Sequence, residues 1–144
     1  MLDLGRSLIA SVARAPDALA LVDGDTRLTY EQWFGQISAL VKGLGEMGIS
    51  HGDRLVTAMQ NNRAAASIHW ACQLAGITIV PVNWRATPDE IEFFVANSGA
   101  KAVVYDASSA QSVQAARKIE DLPQMAYATS SEDALDFDEV IGQP

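Results

Sequence analysis

A chain of 144 residues with 49% hydrophobic and 19% charged side chains has the makeup of one folded domain, which excludes a disordered or low-complexity segment. Its formal net charge of −8 argues against a nucleic-acid backbone or an anionic membrane surface as partner, and in itself means solubility. No apolar run nears the ~20 residues of a transmembrane span, and the one cysteine, Cys72, has no partner for an internal disulfide.

Asp3 stands where a secretory leader would carry basic residues, so the expected location is cytoplasmic. Leu4, Leu8, Ile9 and Val12 recur at helical spacing, and Ala15-Pro16 closes that segment. Residues 18–22 read as a short strand, Asp23-Gly24 as a hairpin turn, and residues 27–29 as the returning strand. Thr29 and Gln32 form a capping-box pair for a helix that buries Trp33, Ile37, Leu40, Val41 and Leu44 and stops at Gly48. Gly52-Asp53 turns the chain into a strand over residues 54–59. Asn61 or Asn62 caps the next helix, with Ala65, Ile68, Cys72 and Ala75 inward and Gly76 at its end.

The apolar run Ile77, Ile79, Val80 and Val82 predicts a strand covered on both faces, with pairing lost at Pro81. Thr87-Pro88-Asp89-Glu90 is a complete helix start. A strand over 102–105, a helix over about 109–119, a strand over 125–128 and a last helical turn capped by Asp136 follow. Strand centres near Thr57, Val80, Val104 and Ala126 with helices between them predict an α/β fold. Its sheet is mainly parallel, built of βα units with helices on both faces, beside an N-terminal β-hairpin. Residues 1–144 form a single unit in this reading.

Gly43-Leu44-Gly45-Glu46-Met47-Gly48 matches the dinucleotide fingerprint letter by letter, yet it lies at a helix C-terminus, where carbonyls point outward and repel phosphate. His69 and Cys72 share one helix but are too few to make a metal centre. Cys72 on a buried face is an inert hydrophobe. Ser108-Ser109 and Thr129-Ser130-Ser131 follow strands but lack the glycines and lysine of a phosphate loop, and read as turns and caps. Asp136, Asp138 and Glu139 read as a solvated face. Asn83-Trp84-Arg85 lies beyond a strand's C-terminal end, where open parallel sheets bind ligands; arginine offers a fork for phosphate and tryptophan a stacking plane. The other reading pairs Arg85 with a surface carboxylate and packs Trp84 on a helix.

Several segments resemble the adenylate-forming superfamily, in particular the N-terminal part of acyl-CoA synthetases (fatty-acid–CoA ligases). Leu28-Thr29-Tyr30-Glu31-Gln32-Trp33 is similar to the first core motif, and residues 74–83, Leu-Ala-Gly-Ile-Thr-Ile-Val-Pro-Val-Asn, to the second. Between them, residues 48–55 resemble the usual Gly-Val-x-x-Gly-Asp-Arg-Val connection, and Asn61 or Asn62 takes the expected asparagine position. Residues 81–85 and the following Thr-Pro-Asp-Glu look like the branch acting on fatty or aromatic acids, and residues 98–102 continue the match.

The resemblance implies a parent enzyme that makes an acyl-adenylate from ATP with magnesium and transfers the acyl group to CoA. It also implies that this chain is a scaffold fragment, inactive alone and without catalytic or metal-binding residues, because the phosphate loop, the ribose-binding aspartate and the C-terminal lysine have no counterpart in it. Its partner is then the remainder of the ligase chain, or a second copy, meeting an exposed apolar face. Arg85 is the one binding residue carried over, as a contact to a CoA phosphate, although Trp84 replaces the commoner proline. The βα rhythm alone also permits a stand-alone flavodoxin-like binding module or a homo-oligomeric interaction module.

Overall fold

A computed structural model describes residues 3–142. Asp3 caps α1 (Leu4–Arg14) by accepting the Arg6 amide at 3.2 Å. Strands β1 (Leu19–Asp23) and β2 (Thr26–Thr29) form the expected antiparallel hairpin. Helix α2 (Tyr30–Glu46) opens with the Thr29/Gln32 capping box, both reciprocal bonds being made. Then follow β3 (Arg54–Ala58), α3 (Arg63–Ala75), β4 (Thr78–Val82), α4 (Pro88–Ser98), β5 (Ala102–Asp106), α5 (Ala110–Ala115), β6 (Gln124–Tyr127), β7 (Leu135–Asp136) and α6 (Phe137–Ile141). Strands β3 to β7 make one parallel sheet in the order β4-β3-β5-β6-β7.

Side-chain alternation along the strands divides the core in two. Leu55, Ala102, Val104 and Met125 join Leu8, Trp33, Ile37, Leu40, Ile68 and Phe137 on one face, beneath α1, α2, α3 and α6. Val56, Val103, Tyr105 and Ala126 meet Ile91, Val95, Val113 and Ile119 of the α4–α5 side. Central strand β5 is buried at every position, as a strand covered on both faces must be.

β4 departs from expectation. It is an edge strand with Thr78 and Pro81 exposed and the other side chains half-buried, and pairing runs through Pro81, opposite Thr57, to Val82, opposite Ala58. Parity explains why proline is tolerated. The Thr78 amide donates to the Asp53 carbonyl at 2.8 Å, so Thr78, Val80 and Val82 face β3 while Ile79 and Pro81 face outward. A proline there removes no bond of the ladder.

Other boundaries also shift. The expected helix over 109–119 breaks after Ala115 and resumes as a 3₁₀ turn over Arg117–Ile119, the price of seating both Val113 and Ile119 in the core. Strand β7, which the sequence reading missed, is two residues long. Leu4 and Ile9 face outward from α1, so only Leu8 of that stripe is fully buried. On α3 the buried positions are Ala64, Ser67, Ile68, Ala71 and Cys72; Ala65 and Ala75 lie at its margin.

The segment 48–55 is a joint at the opposite end of the sheet from the strand C-termini. The Asp53 carboxylate takes the Lys101 ammonium at 2.8 Å and the Ser50 amide at 2.9 Å, and these two partners hold its pKa below the usual carboxylate range. The Arg54 Nε donates to the Ser98 carbonyl at the end of α4. The segment therefore ties β3 to the α4–β5 turn.

Gly43 belongs to the packing of α6. A Cβ built there would lie 2.6 Å from Val140 Cγ1, whereas one on the exposed Gly35 of the same helix meets nothing within 4 Å. Gly35→Ala is therefore expected to stabilise the chain by about 0.8–1.0 kcal/mol through helix propensity. Gly43→Ala, with the same propensity gain, should be net destabilising by about 1–2 kcal/mol because α6 must move. Urea denaturation of the two variants decides it; equal and positive shifts would remove Gly43 from the α2–α6 contact.

Candidate functional site

All strands of the large sheet end on one rim, and the loops leaving β3, β4, β5 and β6 meet the solvent there. Beyond β4, Asn83 Oδ1 accepts the Arg85 amide at 2.9 Å and the Asn83 carbonyl accepts the Ala86 amide at 2.9 Å, giving a tight turn before α4. The exposed Arg85 lays its guanidinium 4.3 Å from the centre of the Trp84 ring. Among the described residues it takes part in no ion pair. The alternative with a surface carboxylate is thus not the one adopted. Trp84 serves as a platform that holds the fork at the rim.

The loops after β3 and β5 are joined by Asp106, which ends β5 and is 4% exposed. Its Oδ2 accepts the Gln60 amide at 2.9 Å and Asn62 Nδ2 at 3.0 Å; its Oδ1 accepts the Ser108 amide at 3.0 Å and the Ser108 hydroxyl. Asn62, not Asn61, is the helix cap: its Oδ1 accepts the Ala65 amide at 2.9 Å while its amide group reaches Asp106. Ser109 donates its hydroxyl to the Ala58 carbonyl at 2.5 Å, across the end of β3. Gln60, Asn62, Asp106 and Ser108, with Tyr127 and Ala128, line a cavity of about 140 Å³. Ala128 holds a left-handed backbone at φ +56°. Arg85 is not among the lining residues, so the rim has two separate polar regions.

A third polar group ties the hairpin and α6 to α3. The Arg63 amide donates to Asp23 Oδ2 at 2.7 Å, and its guanidinium donates to Asp138 Oδ1 at 2.7 Å while lying 5.6 Å and 5.7 Å from the ring centres of Tyr127 and Phe137. Burial lowers the Arg63 pKa, but the bonds to Asp138 and Tyr127 outweigh it and raise the net value. Asp138 and Glu139 are exposed, as a solvated face should be, while Asp138 pairs with Arg63 and Asp136 caps α6 as expected, accepting the Asp138 amide at 2.8 Å and the Glu139 amide at 3.1 Å. The sequence reading missed Asp106 and Arg63. The available signal was Asp106-Ala107-Ser108, an Asx-turn pattern directly after an apolar strand.

The remaining candidates fall away on geometry. The segment 43–48 forms the C-terminal turn of α2, with Met47 at the cap. Burial pushes the Cys72 thiol up to about 12, which leaves no thiolate for nucleophilic work near neutral pH. His69 stacks edge-on against Trp70 at 5.3 Å. Among the described residues no group of three His, Cys, Asp or Glu side chains could hold a metal ion, and no helix is long and apolar enough to cross a membrane.

Comparison with known proteins puts this fold in context. The family model for "AMP-binding enzyme" matches residues 8–143. The feruloyl-CoA synthase of an Amycolatopsis species is 31% identical over 112 residues, 78% of this chain and 23% of that protein. The mitochondrial medium-chain acyl-CoA ligase ACSF2 of Macaca fascicularis is 36% identical over 104 residues, 71% of this chain and 17% of that protein. The crystal structure of the N-terminal domain of FACL13 from Mycobacterium tuberculosis superimposes with a TM-score of 0.84 at 27% identity, over 99% of this chain and 36% of that one. The chain thus spans less than a quarter of the length of these two curated relatives. The match along nearly every element from α1 to α6 places the chain in the AMP-binding enzyme family, to which it belongs.

Proposed function

We propose that residues 1–144 form the N-terminal scaffold subdomain of an ATP-dependent acid–CoA ligase. The whole enzyme adenylates a long- or medium-chain fatty acid, or an aromatic acid, and passes the acyl group to CoA. The observation that carries this reading is the family match over residues 8–143, in which the motif residues do mechanical work: caps at Thr29, Asn62 and Thr87 and the Asp53–Lys101 joint. Relatives named for feruloyl-CoA synthesis and medium-chain acyl-CoA ligation support the two classes of acid. ATP and magnesium are gripped by other parts of the ligase. Arg85, stacked and among the described residues without a carboxylate partner, meets a phosphate of CoA. The remainder of the ligase, or a second copy, covers apolar side chains such as Leu19, Val22 and Phe93, which are 49%, 53% and 61% exposed.

ATP–pyrophosphate exchange with a panel of fatty and aromatic acids tests the scaffold role. The 144-residue chain should give no exchange above the blank, and exchange with any acid sinks the proposal. Arg85 is tested by grafting this chain into the Mycobacterium tuberculosis fatty acyl CoA synthetase in place of its equivalent segment, which shares the fold at 26% identity. Arg85→Ala in the graft should raise KM for CoA about tenfold or more while leaving acyl-adenylate formation unchanged. An unchanged KM removes Arg85 from the CoA site.

A further inference from the structure

The sheet order sends the chain from β3 to β4 on one side and from β4 across to β5 on the other. The two crossover helices, α3 and α4, lie on opposite faces. The crevice beyond the C-terminal ends of β3 and β5 is therefore a topological switch point, where open α/β sheets hold their ligands. In this chain the crevice already contains a negative charge. Gln60 and Ser108 supply backbone N–H groups, Asn62 a side-chain N–H, and Ser108 its hydroxyl, and all four converge on the two oxygens of Asp106. An ionised carboxylate has about four acceptor sites, so donors and acceptors match one for one.

We infer that Asp106 is an intramolecular ligand: the loops after β3 and β5 build a nest selective for a carboxylate, and the chain fills that nest with its own side chain. Two of the donors come from the loop after β3, 44 and 46 residues away in sequence, and two from the turn that follows Asp106, so the match is not a product of local turn geometry alone. Asp106 is thus a positioning residue. It fixes the two loops in one arrangement and keeps external anions out of the switch point. A free-standing flavodoxin-like module would need those donors for its own ligand, and here they are taken.

The experiment uses the 144-residue chain with formate as probe, since formate is the carboxylate that Asp106→Ala deletes. Asp106→Ala should lower Tm by on the order of 10 °C, because buried donors lose their acceptor. Sodium formate should then recover at least half of that loss, while sodium chloride at equal concentration should not. Equal responses to the two salts overturn the inference. Asp106→Asn, which keeps the volume and drops the charge, covers the case in which the alanine variant does not fold. Its Gln60 and Ser108 amide proton resonances should move upfield together from their wild-type positions, and unmoved resonances overturn the inference. In the wild-type chain, inorganic phosphate should leave both resonances in place; a saturable shift means that the nest is open, and the inference fails.

Discussion

Phe137→Ala is expected to cost about 3–5 kcal/mol, a large share of a typical domain's 5–15 kcal/mol. Phe137 is fully buried and sits at the start of α6, with the Tyr127 ring packed edge-on at 5.3 Å and the Arg63 guanidinium at 5.7 Å. It is the fully buried anchor of a five-residue helix, a length far too short to persist without tertiary contacts. Removing the ring should release α6, withdraw Val140 from Gly43, and leave the Arg63 guanidinium with one platform instead of two. Urea denaturation should show a lower midpoint, and amide exchange should show lost protection confined first to residues 137–141. A loss below about 1 kcal/mol would show that α6 contributes little to the unit.

Trp33 should rank next. Its side chain is 8% exposed, and its indole N–H donates to the Ser67 hydroxyl at 2.8 Å in the middle of the α2–α3 contact. Ser67 in turn donates to the Arg63 carbonyl at 2.8 Å, so its own proton is satisfied whatever happens to the indole. The two contributions of Trp33 are therefore separable. Trp33→Ala should cost about 3–5 kcal/mol from lost packing, Trp33→Phe about 1–2 kcal/mol. A double-mutant cycle of Trp33→Phe with Ser67→Ala should return a coupling near 1 kcal/mol. A coupling of zero would assign the whole effect to volume.

These expectations rest on features of unequal visibility in the sequence. Helices α2, α3 and α4 were legible because each carries its own start signal, and Thr29, Asn62 and Thr87 cap as their positions suggest, whereas α1 was read from its apolar spacing. Parallel strands β3, β5 and β6 were legible from continuous apolar runs. Edge position is a property of sheet order, which local pattern does not encode, and so β4 looked like an interior strand. Strand β7 is too short to show a period, and the break at Ala116 is imposed by the core.

The site divides in the same way. Arg85 was found because a strand end, an aromatic ring and a guanidinium are adjacent in the chain. The Asp106 nest was missed because its donors come together only when two loops distant in sequence are brought to one rim. Arg63 was overlooked because its partners, Asp23 and Asp138, lie 40 and 75 residues away.

The outward parity of Ile79 and Pro81 bears on how the chain behaves at high concentration. Along β4 a second polypeptide would find one amide hydrogen, that of Ile79, and then a ring with none to offer. Strand-by-strand stacking of copies would stall after a single rung. A molecule with unfilled greasy spots on its hairpin and on α4 is in this way kept from zipping into fibres along the flank that would most easily allow it.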